Sequence, residues 1–155
     1  MNLFLDTSAL VKVFHEEKGS ATVTALIQDR GNVVWILALG RLEYASALFR
    51  RRRNLEIDDA LLQEALAGFD EQCGSYHVEP LSPAFVQEAE RLLREHGKKH
   101  GLRALDALHM AGYSLLAEAD WTFVTADANQ TQVARFLRWR VVNPLEDPNS
   151  RASAS

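Results

Sequence analysis

The stretch Asn2-Leu3-Phe4-Leu5-Asp6-Thr7-Ser8-Ala9-Leu10-Val11-Lys12 joins an apolar run to a helical pattern through a single acid. Residues 2–5 read as a short buried strand, because the apolar run is too brief for a helix and stops at a charge. Thr7 or Ser8 can cap a helix whose apolar face runs through Ala9, Leu10, Val13 and Phe14. Strand, acid, helix is how a parallel sheet begins, and it leaves Asp6 at the strand's C-terminal end, where such sheets present their ligand-binding edge.

The same alternation continues outward from that unit. Gly19-Ser20 restarts a helix with Val23, Leu26 and Ile27 on one face, and Arg30-Gly31-Asn32 stops it before the apolar Val33-Val34-Trp35-Ile36. Helical spacing returns through Leu42, Ala45, Leu48 and Phe49 in residues 39–53. It returns again through Leu61, Leu62, Ala65, Leu66 and Phe69 in residues 57–72, so the two make a hairpin turning at Asn54. A strand over 75–81 and a helix opened by Ser82-Pro83 and fraying at His96-Gly97 come next. A helix over 102–116, a strand over 121–124, a helix over 127–137 and a strand over 140–142 complete the pattern. Strands alternating with helices predict a three-layer α/β fold, a mostly parallel central sheet covered on both faces.

Composition narrows the possibilities. A chain of 155 residues, 47% hydrophobic and 25% charged, suits one domain with one core and excludes a disordered or collagen-like chain. The domain is expected over residues 1–145; residues 146–155 are polar, contain Pro148, and are expected to be disordered. Cys73 is the sole cysteine, which rules out an intramolecular disulfide, a thiolate zinc site and a dithiol redox pair, and points to the cytoplasm. The N-terminal region lacks the basic start and apolar run of a secretory signal, and no uncharged run reaches the roughly 18 residues of a membrane span. The net charge of −4 argues against nucleic-acid binding by bulk positive charge, but not against a nuclease whose acids are covered by metal ions.

Four acids interrupt surroundings that do not call for them. Asp6 ends a strand, where helix capping is the ordinary reading. Glu43 has Leu39, Gly40, Ser46 and Ala47 as its helical neighbours, a small uncharged face on which the acid either meets solvent or aims into a cleft with room for an ion or a phosphate. Asp106 sits in the apolar Leu105-Asp106-Ala107-Leu108-His109-Met110-Ala111, where it either favours the helix dipole or, in a core helix, costs several kcal/mol unless paired. Asp127 follows a strand in Val124-Thr125-Ala126-Asp127, again a capping position. As a set they converge on one end of one sheet, where close carboxylates repel unless cations join them. Oxygen ligands without a matching His or Cys set select hard cations, Mg²⁺ or Mn²⁺.

Asp6-Thr7-Ser8-Ala9-Leu10-Val11-Lys12, Leu42-Glu43 with Ser46-Ala47-Leu48, Asp106-Ala107-Leu108-His109-Met110-Ala111 and Thr125-Ala126-Asp127, in this order, resemble the PIN domain, specifically the VapC-type ribonuclease toxins of toxin–antitoxin pairs. The resemblance spans residues 2 to about 143. It implies a PIN-like fold, a Mg²⁺- or Mn²⁺-dependent endoribonuclease, a homodimer, and a cognate antitoxin that covers the site. Carried across by position, Asp6 and Asp106 would be metal ligands and Asp127 would complete the pocket directly or through water. Glu43 would orient or deprotonate the attacking water, and Thr7, Ser8 and Thr125 would supply hydroxyl and backbone contacts. One departure is the wholly apolar segment from Trp35 to Leu39, where many relatives carry a polar residue.

Arg50-Arg51-Arg52-Arg53, and Lys98, Lys99, His100 and Arg103, could guide phosphates toward the acids, although basic residues at a helix C-terminus also complement its dipole. His96 and His100 have the spacing of a helical metal pair without a third ligand nearby. His109 reads as a packed, hydrogen-bonded side chain, Trp35, Trp121 and Phe123 as core, and Cys73 as buried and inert. Two rival readings stand. Strand-Asp-Thr-Ser could present an aspartyl-phosphatase nucleophile, although position 8 is Ser where the usual second acid would stand. A non-catalytic PIN-like module could bind RNA or protein without cutting it.

Overall fold

In a computed structural model, which describes residues 1–146, β1 (Asn2–Leu5) lies at the centre of a five-stranded sheet. The chain leaves β1 through α1 (Thr7–Phe14) and α2 (Ser20–Gln28), returns as β2 (Val33–Leu37), and makes the hairpin α3 (Ala38–Arg53) and α4 (Asp59–Cys73). It adds β3 (His77–Glu79) outside β2, then crosses through α5 (Pro83–His100) and α6 (Ala104–Leu116) to the other side of β1. There β4 (Trp121–Val124), α7 (Ala128–Phe136) and β5 (Val141–Val142) finish the sheet in the order β3-β2-β1-β4-β5. Every pairing is parallel, with Leu5 in register with Ile36 on one side and Val124 on the other. The expected three-layer α/β architecture is the observed one.

The strands' period of two sorts the core into its two halves. Leu3, Leu5, Val34, Ile36 and Val124 face the layer of α1 to α4, where Leu10, Val23, Tyr44, Leu48, Phe69 and Cys73 meet them. Phe4, Leu37, Trp121 and Phe123 face the opposite layer, against Leu92 of α5, Met110 and Tyr113 of α6 and Val133 of α7. Trp35 is partly buried against this second half. Gly112 lets α6 lie close on the sheet: a Cβ there would stand 2.9 Å from Phe4 Cζ and 2.9 Å from Leu37 Cδ2, both on fully buried side chains.

Two boundaries differ most from expectation: β3 is confined to His77–Glu79 where a strand over 75–81 is expected, and α5 ends later than expected. Instead of fraying at His96-Gly97, α5 continues to His100 and ends at Gly101, whose φ of 66° makes the left-handed cap. Burial of Leu92 and His96 and the dense packing of α5 on α6 outweigh the ~1 kcal/mol that a helical glycine costs. Glu146, the last described residue, pairs with Arg135; the expected disorder of the tail otherwise lies outside the described residues. No helix among the described residues is long and apolar enough to cross a membrane.

Candidate active site

The strand order reverses at β1, so the crevice between the C-terminal ends of β1 and β4 is the switch point of the sheet, the usual ligand position in such folds. Three helices begin there. Asp6 is the N-cap of α1, Asp106 lies in the first turn of α6, and Asp127 is the N-cap of α7. Their N-termini carry partial positive charge that favours carboxylates and phosphates alike.

Capping and site chemistry are compatible because a carboxylate has two oxygens. Asp6 Oδ1 accepts from Ala9 N at 3.0 Å, while the Ser8 hydroxyl donates across Oδ1 and Oδ2 at 2.8 and 2.9 Å. Gln130 Nε2 donates to Asp6 Oδ2 at 2.9 Å and to Asp106 Oδ1 at 3.4 Å, bridging the two acids. Asp127 Oδ1 caps Gln130 N at 2.8 Å. Arg103 Nε donates to Asp106 Oδ2 at 2.9 Å, and its Nη2 stands 4.0 Å from Asp127 Oδ2. On the other side, Glu43 reaches over from α3 to take the Thr7 hydroxyl at 2.5 Å and His109 Nε2 at 2.6 Å. Asp6, Asp106 and Asp127 are thus joined through Gln130 and Arg103, while Glu43 is held beside them by Thr7, the residue after Asp6, and by His109 of α6.

Ser8 and Thr125 fasten the patch from below. The Ser8 oxygen accepts from Ala126 N at 2.8 Å and lies 3.3 Å from Thr125 Oγ1, which accepts from Asp127 N at 3.1 Å. Thr125 is fully buried. Two strand ends that the chain separates by more than a hundred residues are held in contact by these two hydroxyls.

The electrostatics differ between the acids. Asp6 is only 2% exposed, and burial pushes its carboxyl above the usual range, outweighing His109 nearby and the hydrogen bonds from Ser8 and Ala9. Burial also pushes Glu43 upward, but the hydrogen bonds from His109 and Thr7, with the charge of Arg103, reverse it and leave Glu43 below the usual range. Glu43 is therefore ionised, and Asp6 is a buried carboxylate in search of a countercharge.

An open groove of about 540 Å³, lined by Glu43 together with Thr7 and Ser8 that flank Asp6, extends along α3. Leu42 and Leu105 stand exposed beside Glu43, and Arg50 lies two turns along the same helix. Of the four consecutive arginines, Arg51 pairs with Glu56 and Arg52 with Asp59, whereas Arg50 and Arg53 have no carboxylate partner among the described residues.

The sequence of residues 3–136 matches the family model described as "PIN domain". The chain belongs to the PIN domain family. No curated protein sequence matches it. Solved structures share the PIN fold at low identity. VapBC-1 from nontypeable Haemophilus influenzae is 11% identical, with a TM-score of 0.64, covering 94% of this chain and 100% of that one. VapC20 from Mycobacterium tuberculosis, described as a sarcin-ricin loop cleaving toxin, is 17% identical, with a TM-score of 0.65, covering 84% of this chain and 94% of that one. VapBC2 from Rickettsia felis, bound to a promoter DNA fragment, is 16% identical, with a TM-score of 0.62, covering 92% of this chain and 98% of that one.

Whether this PIN domain suits a cation is a question of donors. Among the described residues no three His, Cys, Asp or Glu side chains form a ready-made metal cage. The Gln130 amide and the Arg103 guanidinium lie between the carboxylates instead. Yet the donors are all hard oxygens, and among the described residues Asp6 is buried with no cationic side chain in contact and Gln130 Oε1 is buried without a partner. That chemistry fits Mg²⁺ or Mn²⁺, with Arg103, which is largely exposed, free to withdraw.

Sequence reasoning overlooked Gln130. Its signal was a polar amide on the face of α7 that also carries Val133 and Ala134, all of them buried. His96 and His100 do lie side by side on one face of α5, 5.9 Å between ring centroids, but they pack on Phe136 and gather no third ligand among the described residues.

Proposed function

We propose that this PIN domain is a metal-dependent endoribonuclease, the toxin of a toxin–antitoxin pair. The observation that carries this is the set of Asp6, Asp106 and Asp127 linked through Gln130 and Arg103 at the sheet's switch point beneath three helix N-termini, with Glu43 held beside them by Thr7 and His109. The similarity of its fold to VapBC complexes and to a VapC toxin supports the same reading.

Asp6, Asp106 and Asp127 would hold Mg²⁺ or Mn²⁺. When bound, a divalent cation polarises a phosphoryl oxygen and lowers the pKa of coordinated water. The chain's own groups do the rest. Glu43, kept ionised by His109 and Thr7, orients the attacking water and takes its proton. The converging helix N-termini bind the anionic phosphate. The groove seats the polymer, with Leu42 and Leu105 against a base and Arg50 on a neighbouring phosphate. Thr7, Ser8 and Thr125 keep the acids in place. Hydrolysis leaves a 5′-phosphate and a 3′-hydroxyl.

The open groove favours a polymeric substrate over a small phosphoester. An aspartyl nucleophile is disfavoured because Asp6 is almost wholly buried and hydrogen-bonded on both oxygens. A cognate antitoxin and a second copy of the chain are the proposed protein partners, and the cytoplasm the proposed compartment.

The test is cleavage of a panel of folded RNAs, tRNA included, by wild type and Asp6→Asn with Mg²⁺, Mn²⁺ or EDTA. Cleavage that needs metal, disappears in the variant and leaves 5′-phosphate ends is expected. A 2′,3′-cyclic phosphate would reject the metal-water scheme, and a well-folded protein that binds RNA uncut would favour the binding module.

A further inference from the structure

His109 lies one turn beyond Asp106 on α6, facing across the crevice to α3, and is 2% exposed. Its Nε2 is 2.6 Å from Glu43 Oε2 and 3.0 Å from Thr7 Oγ1, and the Thr7 hydroxyl donates to the same Glu43 oxygen. Gly40, one turn before Glu43, lies beside both: a Cβ there would meet Thr7 Oγ1 at 3.6 Å and His109 Cε1 at 3.7 Å, ordinary contact distances. The other ring nitrogen, Nδ1, is buried with no hydrogen-bond partner among the described residues.

These contacts fix the tautomer. An ionised carboxylate only accepts, so the proton between His109 and Glu43 must sit on Nε2. A proton on Nδ1 would be a buried donor facing no acceptor, which is more costly than a bare ring nitrogen there. His109 is therefore arranged to donate in one direction, toward Glu43.

Both donors converge on Oε2, and Glu43 Oε1 has no hydrogen-bond partner among the described residues. We propose that His109 is a positioning residue: with Thr7 it clamps Oε2 of Glu43 and thereby presents Oε1 to the groove as the oxygen that receives the water proton. A glutamate has three rotatable bonds, and without the clamp it would spread its carboxylate over several rotamers. The lowered pKa of Glu43 agrees with this arrangement, since the same two donors favour its ionised form. The inference rests on the reading of Glu43 as the residue that handles water, and it assigns to His109 a role that a packed core histidine would not have.

The test has two arms. The first needs no substrate: a long-range ¹H–¹⁵N spectrum of the imidazoles at pH 7.5 is expected to show His109 protonated on Nε2 and bare on Nδ1. The Nε2 signal should move in Glu43→Gln. An Nδ1–H tautomer, or a signal indifferent to Glu43→Gln, overturns the clamp. The second arm compares His109→Leu, which keeps bulk without a donor, with His109→Gln, which restores an N–H at similar reach. Thermal unfolding is recorded for each variant to establish that it is folded. His109→Leu is expected to lower kcat about 10- to 100-fold with KM within about 2-fold. His109→Gln should recover most of the loss, and His109→Leu should have no further effect in a Glu43→Gln background.

Equal losses in the Leu and Gln variants would make His109 a packing residue and overturn the proposal. So would an undiminished kcat, or a loss that persists in the Glu43→Gln background. If wild type gives the expected spectrum but cleaves no RNA, the clamp exists without a reaction to serve; the nuclease reading and the positioning role then both fall, while a failed spectrum beside normal cleavage rejects His109 alone.

Discussion

Gln130 Nε2 donates to Asp6 Oδ2 at 2.9 Å, so an amide from α7 neutralises nothing yet satisfies the most buried acid among the described residues. Asp6 remains a carboxylate removed from water and held only by neutral donors. Burial raises its pKa in the folded protein above the unfolded value, so the native state binds the proton more tightly than the unfolded chain does. In metal-free protein, stability is then lost as pH rises from the unfolded pKa of Asp6 through its raised folded value. Asp6→Asn removes this loss. Its midpoint in EDTA at pH 7.5 is expected to exceed that of wild type. The gap should narrow toward pH 4. Mn²⁺ should raise the wild-type midpoint and leave Asp6→Asn nearly unmoved; scanning calorimetry at both pH values and with both additions measures all of this.

Gln130 itself should be most needed when Asp6 is charged. Gln130→Ala takes a donor from a buried carboxylate, a loss of about 1–3 kcal/mol. Because the donor favours the ionised form, the cost is present above the folded pKa of Asp6 and shrinks as pH falls through it. Urea unfolding at pH 7.5 and pH 4.5 should therefore give a larger deficit at the higher pH. An equal deficit at both would mean that Gln130 is felt through packing alone.

Gly112 is a steric requirement of the fold and lies outside the acidic patch. Gly112→Ala gains about 1 kcal/mol of helix propensity. It also drives a methyl to within 2.9 Å of Phe4 and Leu37, which are fully buried and have nowhere to go. Overpacking of this kind costs about 1–3 kcal/mol, so a net loss is expected by denaturant titration. A more stable variant would show that α6 can lift from the sheet without penalty.

What the sequence made legible follows from how local each signal is. Strands β1, β2 and β4 and most helices announce themselves by periods of two or 3.6 that need no distant partner. The four acids were legible because each breaks an apolar setting. The C-terminal turn of α5 was not, since Gly97 looks like a stop until α6 is packed against it. Gln130 was illegible for a related reason: its two acceptors lie 124 and 24 residues away, and only the folded sheet brings them to it. His109 read correctly as hydrogen-bonded, but its partner Glu43, 66 residues distant, could not be named from spacing. Local chemistry marks which residues are unusual; the topology decides which oxygen of each is left over.

Arg103 offers the sharpest distinction between structure and site. Its guanidinium contacts Asp106 at 2.9 Å and approaches Asp127 at 4.0 Å, the countercharge that a cation would otherwise provide, yet its side chain is 75% exposed. Exposed ion pairs are weak and salt-sensitive, so the guanidinium can be displaced. If cation and guanidinium compete for the same carboxylates, Arg103→Ala should tighten Mn²⁺ binding about 2- to 5-fold, read by the loss of free Mn²⁺ signal in electron paramagnetic resonance. Raising salt should weaken Mn²⁺ binding less in wild type than in Arg103→Ala, because salt also loosens the competing arginine. The same variant should bind RNA less tightly if Arg103, once displaced, turns to a phosphate. Unchanged Mn²⁺ affinity would mean that the guanidinium and the cation occupy different sides of Asp106, and that Arg103 guards the entrance to the acids without filling their centre.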